Sequence, residues 1–370
     1  MLARASGLRR WGALALVIAA ACSPSEDELA PGMMACETAT MVQGEGVDYT
    51  LVGYDVDDFC PASFEAVESH IQWVAGAWGV FDPHVDYHLV EGRDSPCWLC
   101  SEGAGACGAD GALSTTRLPD HHELAHAVHG ANCSSLVEEG WATLFAGPFE
   151  DAETTGSLRG AIETVAREGR LPGGDYPLAA RFVAYLLEVH DIETVRELCA
   201  ISFTDAAELD AALLEVTGSS LDDVQLALDE SPPVSLGQLR QDQACEGLDA
   251  ALSPAALTMG FRCSDDGVVG RVGGPVWTQR LVELPEPGAY TFTFDASEDV
   301  ELLLELRNCA RDGLASRYYA IELSHPTPGA PAALLLTDLP AGTYVLRVMI
   351  NDTSSLGLDL RVGVDVESWL

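Results

Sequence analysis

The sequence predicts an α+β protein, in which a mainly helical domain with a small N-terminal sheet precedes an all-β sandwich. Before residue 230, apolar residues recur at helical spacing in several stretches. After Gly267 the pattern changes to short apolar runs separated by Pro, Gly and Asp, which is typical of a sandwich. The Ser231-Pro232-Pro233 stretch between these patterns indicates a domain boundary.

These changes of pattern divide the chain into five expected parts. They are an export signal at residues 1–21, a tether at 22–32, a first folded domain at 33–231, a connector at 232–262 and the sandwich at 263–370. The first domain should therefore contain most of the chemistry-bearing residues, and the sandwich should be an accessory module.

The beginning of the chain is typical of an exported lipoprotein. Three arginines and an apolar run without acidic residues make a signal that is too short to span a membrane as a helix. The run ends Ile18-Ala19-Ala20-Ala21-Cys22, which resembles the lipobox of bacterial lipoproteins, with Ala19 where leucine is usual. The resemblance implies a lipid on Cys22 and a place in the bacterial cell envelope. A plain cleaved signal is the alternative.

Composition agrees with export and argues against nucleic acid as a partner. The chain has 19 basic residues, all arginine, against 58 acidic ones, for a formal net charge of −39. Of its eleven cysteines, an even number remains without Cys22, which predicts up to five disulfides. Cys97, Cys100 and Cys107 lie in a Gly-rich stretch. There we expect a disulfide-pinned loop rather than a redox pair or a structural zinc site.

The front of the first domain alternates strands and a helix. Strand patterns occupy residues 49–56, 85–90 and 112–116, and residues 61–79 have one apolar stripe at helical spacing, with Pro61 in the first turn. The last of these strands leads directly to a motif that contains two histidines.

This motif is His-Glu-x-x-His, at His122, Glu123 and His126. Asp120 and Glu123 predict the start of a helix with a capping box, and Gly130 is a natural end. On a helix, positions i and i+4 share a face, so the two imidazoles can bind one ion. Glu123 can then take a proton from a water activated by the metal. The alternative is a capped helix with incidental histidines.

A second helix, predicted over residues 135–145, carries Glu138, Glu139 and Gly140 near its start. This Glu-Gly pair, together with the motif, resembles the gluzincin metallopeptidases, the family of thermolysin, aminopeptidase N and the peptidase MA-like domains. The resemblance implies a gluzincin-like fold and one catalytic Zn²⁺ bound by His122, His126 and Glu139. It leaves Glu138 to orient a ligand histidine.

Two neighbouring histidines are not assigned as ligands. His129 stands where metzincin peptidases need glycine, and Asn132 stands where they need histidine, so the spacing excludes that family. We therefore expect His121 and His129 to lie beside the site.

A third segment, residues 175–190, resembles the stretch of aminopeptidase N in which a tyrosine opens a helix. The resemblance implies that Tyr176 donates its hydroxyl to the tetrahedral intermediate. The alternative is that Tyr176 only seals the helix start against the core. In gluzincins the substrate lies along an edge strand, so either residues 85–90 or residues 112–116 are expected to bind it.

The sandwich is predicted from strand patterns at residues 277–282, 289–294, 300–306, 332–336 and 343–350. Residues 339–348 resemble a strand of the bacterial pre-peptidase C-terminal domains, which accompany secreted peptidases. The resemblance implies either attachment to a substrate or matrix, or a stabilising role. Cys263 and Cys309 are candidates for a bridge within this sandwich.

The function expected from these patterns is an exported zinc-dependent peptidase that acts on a peptide or protein. No stretch matches the Gly-Ala-Met-Glu-Asn element with which aminopeptidase N holds a free amino terminus. This weakens an exopeptidase assignment and leaves an endopeptidase, or another amide hydrolase, as the expected activity. One alternative is an inactive zinc-containing lipoprotein that acts as a surface binding module. Another is a structural or adhesive protein whose sandwich performs the function.

Overall fold

The computed structural model describes residues 41–56, 58–100, 104–129, 133–146, 156–230, 257–271, 275–296, 301–309, 318–324, 332–350 and 359–367. Two separate hydrophobic cores lie within this part of the chain, one built from residues 49–228 and one from residues 259–362. The protein is a mixed α+β protein with a small N-terminal sheet and a later β-sandwich, so the predicted fold class is confirmed. The export signal and the tether lie outside the described residues.

A five-stranded sheet opens the first domain. Its strands are β1 (Met41–Glu45), β2 (Tyr49–Tyr54), β3 (Val85–Val90), β4 (Cys107–Ala109) and β5 (Ala112–Thr115), in the order β1-β2-β3-β5-β4. Strands β2, β3 and β5 are parallel, and β1 and β4 run antiparallel to their neighbours. Helix α1 (Ala62–Trp78) is the crossover that joins β2 to β3, as a parallel pair requires.

The remaining helices follow the sheet. They are α2 (His121–His129), α3 (Ser135–Ala146), α4 (Leu158–Glu168), α5 (Tyr176–Val189), α6 (Ile192–Ala200), α7 (Ala206–Val216) and α8 (Leu221–Glu230). One 3₁₀ turn, Gly173–Asp175, leads into α5. Helices α1, α2, α3 and α5 agree with the helices predicted at residues 61–79, 120–130, 135–145 and 175–190. None of the helices in the described part of the chain combines the length and apolar character that a membrane span needs.

The sandwich consists of two antiparallel sheets. Its strands are β6 (Leu257–Gly260), β7 (Val269–Gly270), β8 (Val276–Leu284), β9 (Gly288–Ala296), β10 (Glu301–Asn308), β11 (Tyr318–Ser324), β12 (Ala332–Leu339), β13 (Gly342–Ile350) and β14 (Asp359–Glu367). One sheet has the order β11-β10-β13-β8-β7 and the other β12-β9-β14-β6. Strand β6 lies within the stretch expected as connector and pairs with β14, so the sandwich begins before residue 263.

The stretch that resembles the pre-peptidase C-terminal domains, residues 339–348, forms the turn from β12 into β13 and most of β13. Tyr344 is fully buried there, and its hydroxyl donates a hydrogen bond to the carbonyl oxygen of Pro340 at 2.8 Å. Strand β13 is flanked by β10 and β8, so this tyrosine fastens the turn to the middle of a sheet.

A disulfide and a nearby hydrogen bond from a serine hydroxyl to a backbone carbonyl join the two domains. Cys60, just before α1, is bonded to Cys263, so the suggested bridge between Cys263 and Cys309 is wrong. Nearby, the hydroxyl of Ser63 donates to the carbonyl oxygen of Gly270 at 2.8 Å. The sequence could not supply this pairing, because it joins cysteines that are 203 residues apart.

Four further cysteines form two disulfides within the first domain. They are Cys100–Cys107 and Cys133–Cys199. Cys97 and Cys309 are disulfide-bonded as well. The prediction of several disulfides is therefore confirmed, and the Gly-rich loop does carry one of them.

Candidate metal centre

Helix α2 begins where the sequence predicts, but its cap differs in one respect. A carboxylate oxygen of Asp120 accepts from the backbone N–H of Glu123 at 3.4 Å, and the other accepts from the Thr115 hydroxyl at 2.7 Å. The backbone N–H of Asp120 donates to the Tyr87 hydroxyl at 2.9 Å instead of to Glu123. Because the Tyr87 hydroxyl accepts from the Asp120 N–H, the hydrogen bond from that N–H to the Glu123 carboxylate, which a capping box would have, is unnecessary. The Glu123 carboxylate instead interacts electrostatically with His122 and His126.

The three predicted ligands come together between α2 and α3. Nε2 of His122 lies 3.2 Å from Nε2 of His126 and 3.2 Å from Oε2 of Glu139. Nε2 of His126 lies 3.5 Å from the same oxygen. Tetrahedral zinc with bonds of about 2.0–2.2 Å separates two ligand atoms by roughly 3.3–3.6 Å. The donor set and its spacing therefore fit a zinc ion.

Glycine allows Glu139 to reach this position. A Cβ atom at Gly140 would overlap the carbonyl oxygen of Ala179, so only glycine lets α3 approach α5 at this point. The glycine that follows Glu139 is thus explained by helix packing.

Glu138 contacts the other ring nitrogen of His126. Its Oε1 lies 3.5 Å from Nδ1 of that ring, and about a third of its side chain, 34 %, is exposed. A carboxylate in this position selects the tautomer and the orientation of a metal-binding histidine. The arrangement agrees with the orienting role expected for Glu138.

The cluster concentrates charge in a buried place. Burial by itself would lower the pKa of His126, but hydrogen bonds to Glu138 and Glu139 and the charge of Glu139 raise it to about 10. Burial would raise the pKa of Glu139, but its hydrogen bonds with His122 and His126 lower it to about 2. The histidine and the carboxylate therefore stabilise each other's charged forms.

Glu123 lies close enough to this cluster for the charges of His122, His126 and Glu139 to affect its pKa. Burial raises the pKa of Glu123 to about 7, while the charge of His122 opposes the rise. Its backbone carbonyl lies against strand β4, where a Cβ atom at Gly108 would overlap it. A carboxyl group with a pKa near neutrality can both accept and return a proton.

Tyr176 completes the side chains around the cluster. Its ring stacks on His122, with centroids 5.6 Å apart and planes inclined by 6°. Burial raises the pKa of Tyr176, and the charge of Glu139 and a hydrogen bond between the two side chains raise it further. The hydroxyl therefore keeps its proton at neutral pH and can donate a hydrogen bond.

No family model and no curated protein matches this chain. Similar solved structures include a bacteriophage CBA120 tailspike protein (14 % identity, 30 % of this chain, 18 % of that chain, TM-score 0.22). They also include the pre-peptidase C-terminal domain of a Bacillus anthracis collagenase (10 % identity, 31 % and 97 % covered, TM-score 0.20). A family 16 carbohydrate-binding module is similar too (10 % identity, 25 % and 71 % covered, TM-score 0.19).

These likenesses do not decide the function. Each TM-score is below 0.5, and the chain spans less than a fifth of the tailspike chain. Any assignment of activity must therefore come from the geometry of the site itself.

The prediction that the substrate binds along residues 85–90 or 112–116 as an edge strand is wrong. Residues 85–90 and 112–116 were the candidates, but β3 and β5 both lie inside the sheet, with a neighbour on each side. Among the described strands, the edge strand next to α2 is β4, which is not among the strands predicted from the sequence. Its Asp110-Gly111 turn into β5 was a signal for it, because such a dipeptide is typical of hairpins.

Proposed function

We propose that this chain is an exported zinc-dependent endopeptidase that hydrolyses peptide bonds in a peptide or protein. The observation that supports the proposal most is the spacing of 3.2–3.5 Å among the ligand atoms of His122, His126 and Glu139. A zinc ion held there lowers the pKa of a water molecule and polarises a substrate carbonyl. The other steps belong to the surrounding side chains.

Glu123 is the general base and then the general acid in this proposal. It takes a proton from the attacking water and later delivers it to the leaving amine nitrogen. Its pKa of about 7 suits both transfers at neutral pH. Glu138 keeps the His126 ring in place through Nδ1, which leaves Nε2 for the metal.

Tyr176 is the donor that stabilises the developing oxyanion. Its protonated hydroxyl already hydrogen-bonds with Glu139, at the edge of the ligand cluster. Donation to the substrate oxygen is strongest when that oxygen carries negative charge, so the contact favours the transition state over the bound substrate.

Strand β4 aligns the substrate. It is the edge strand beside α2 in the described sheet, and Gly108 lies against the backbone of Glu123. An extended peptide that adds to this edge would make main-chain hydrogen bonds and pass beside the zinc ligands. The Cys100–Cys107 disulfide holds the start of the strand in place.

The test compares wild-type protein with Glu123→Gln on a peptide library. We expect the variant to keep one zinc per chain by mass spectrometry and to lose about 10²–10⁴-fold in kcat. Glu163→Gln is the matched control, since Glu163 is an exposed carboxylate on α4.

Two outcomes would contradict the proposal. Near-normal cleavage by zinc-loaded Glu123→Gln would rule out the assigned base. A zinc-loaded wild type that cleaves no peptide would instead favour the zinc-containing binding module.

The proposal includes a lipid anchor on Cys22, a residue outside the described part of the chain. The lipobox-like residues before it support this. Wild-type protein should remain with the membrane fraction of a bacterial host and carry a diacylglyceryl mass, whereas Cys22→Ala should be released. Wild-type protein without lipid would favour the plain cleaved signal.

A further inference from the structure

A second group of metal-binding atoms lies one turn beyond His126 on the same helix. Nε2 of His129 lies 3.4 Å from Sγ of Cys133 and 3.8 Å from Sγ of Cys199. These residues come from α2, from the start of the segment that leads into α3, and from α6. Three donor atoms from three elements therefore meet within 4.8 Å of one another.

The imidazole is held firmly in its place. His129 is 6 % exposed, and its ring centroid lies 3.9 Å from that of Trp78 and 6.2 Å from that of Trp141. Cys199 is 5 % exposed, whereas Cys133 is only partly buried. The site is thus largely enclosed, with an approach from solvent on the Cys133 side.

The nitrogen already has the spacing that a metal would require. In a tetrahedral zinc site with Zn–S bonds of about 2.3 Å and Zn–N bonds of about 2.0 Å, nitrogen and sulfur are roughly 3.5 Å apart. The two observed distances, 3.4 and 3.8 Å, bracket this value. The sulfur atoms of Cys133 and Cys199 are joined as a disulfide. For both to bind a zinc ion, this bond must break and the two sulfur atoms must move apart by rotation of the cysteine side chains, while the His129 ring can stay in place.

We propose that reduction of Cys133–Cys199 turns this cluster into a second zinc site, with His129, Cys133 and Cys199 as ligands. A two-electron reductant, either a dithiol or a phosphine, breaks the S–S bond and leaves two thiols. The dithiol becomes a disulfide, or the phosphine becomes its oxide with oxygen from water. Zinc then displaces one proton from each thiol, and the imidazole nitrogen contributes a lone pair.

The same chemistry does not apply to the other two described disulfides. Cys60–Cys263 and Cys100–Cys107 belong to no group of three metal-binding side chains among the described residues. Cys100–Cys107 can therefore serve as a matched control, because it also lies in the first domain and also opens on reduction. The proposal does not depend on peptidase activity.

The test counts zinc by native mass spectrometry on the full protein, before and after reduction with a phosphine and equilibration with zinc. We expect one zinc per oxidised chain and two per reduced chain. Reduced protein loaded with Co²⁺ should also show thiolate-to-cobalt absorption in the near ultraviolet. The Cys100→Ser/Cys107→Ser control should still gain the second ion.

Variants separate this site from the first one. His129→Phe keeps a ring between the tryptophans and removes the nitrogen, so it should stay at one zinc after reduction. His126→Ala should lose the first ion and still gain the second. Gain of the second ion by His126→Ala would support the site at His129, Cys133 and Cys199 even if His126 proved not to bind zinc.

The proposal is overturned if reduced protein stays folded, has both thiols open to alkylation and still binds one zinc. It is also overturned if His129→Phe gains the second ion as readily as wild type. If reduction unfolds the chain, zinc should restore the fold, and failure to restore it would overturn the proposal too.

Discussion

Two histidines on one short helix have similar burial but pKa values that are shifted in opposite directions. His126 is 8 % exposed and His129 is 6 % exposed, and both lie on α2. The pKa of His126 is raised to about 10, whereas burial and the charge of His126 lower the pKa of His129 to about 4. Burial lowers the pKa in both cases, so it cannot explain the difference.

The difference comes from what each ring faces. His126 contacts the carboxylates of Glu138 and Glu139, while His129 contacts the rings of Trp78 and Trp141 and a disulfide. Carboxylates favour the charged imidazolium, and aromatic rings and sulfur do not replace the lost water. One turn of helix thus separates a cluster of oxygen and nitrogen atoms from a cluster that contains sulfur.

The largest expected effect is on zinc binding by the oxidised protein. His126→Ala should reduce its zinc content from about one ion per chain to nearly none, because two ligands remain. His129→Phe should retain the ion, because His129 does not belong to the first cluster. Mass spectrometry of both purified variants checks this. Equal loss in both would mean that the two sites are not separate.

A smaller effect on zinc binding is expected when the carboxylate of Glu138, beside His126, is removed. Glu138→Gln should weaken zinc binding about 10–100-fold, since it loses the charge that orients the ring. Competition with a chelator of known affinity measures this, with Glu163→Gln as the control. An affinity equal to that of wild type would mean that Glu138 is only solvated.

The number of protons released on zinc binding tests the difference in pKa between His126 and His129. At pH 7 His126 is protonated in the metal-free protein, because its folded pKa is about 10, and Glu139 is already ionised. Zinc needs the lone pair of His126, so binding should release at least one proton per ion and become tighter as pH rises.

Calorimetry in two buffers of different ionisation enthalpy gives the number of protons. His129→Phe should release the same number, because the ring of His129 is neutral at pH 7. Zinc binding without proton release would mean that the charge of His126 is wrongly assigned.

The smallest effect is expected at the start of α2. Asp120→Ala removes the helix cap and the partner of the Thr115 hydroxyl, and should lower the free energy of unfolding by about 1–2 kcal/mol. Asp191→Ala removes a solvent-exposed cap from α6 and should cost less. Thermal unfolding of the metal-free variants compares them. A larger loss at Asp191 would mean that burial of the Asp120 network adds nothing.

Much of the fold and of the site could be predicted because it depends on local pattern. Helices α1, α2, α3 and α5 follow from apolar spacing and caps, and the i, i+4 geometry of His122 and His126 needs only a helix. Glu139 and Tyr176 were suggested by family resemblance. Strands β11 and β14 were not predicted.

Sequence by itself therefore determined the fold class, the helices of the site and the shared face of His122 and His126, since these depend on local pattern. Tertiary structure alone decided the pairing of Cys60 with Cys263, the position of β4 at the sheet edge and the opposite surroundings of His126 and His129. Each of these depends on contacts between elements, and the disulfide joins cysteines that are 203 residues apart. These contacts depend on how helices and strands pack, which no local pattern specifies.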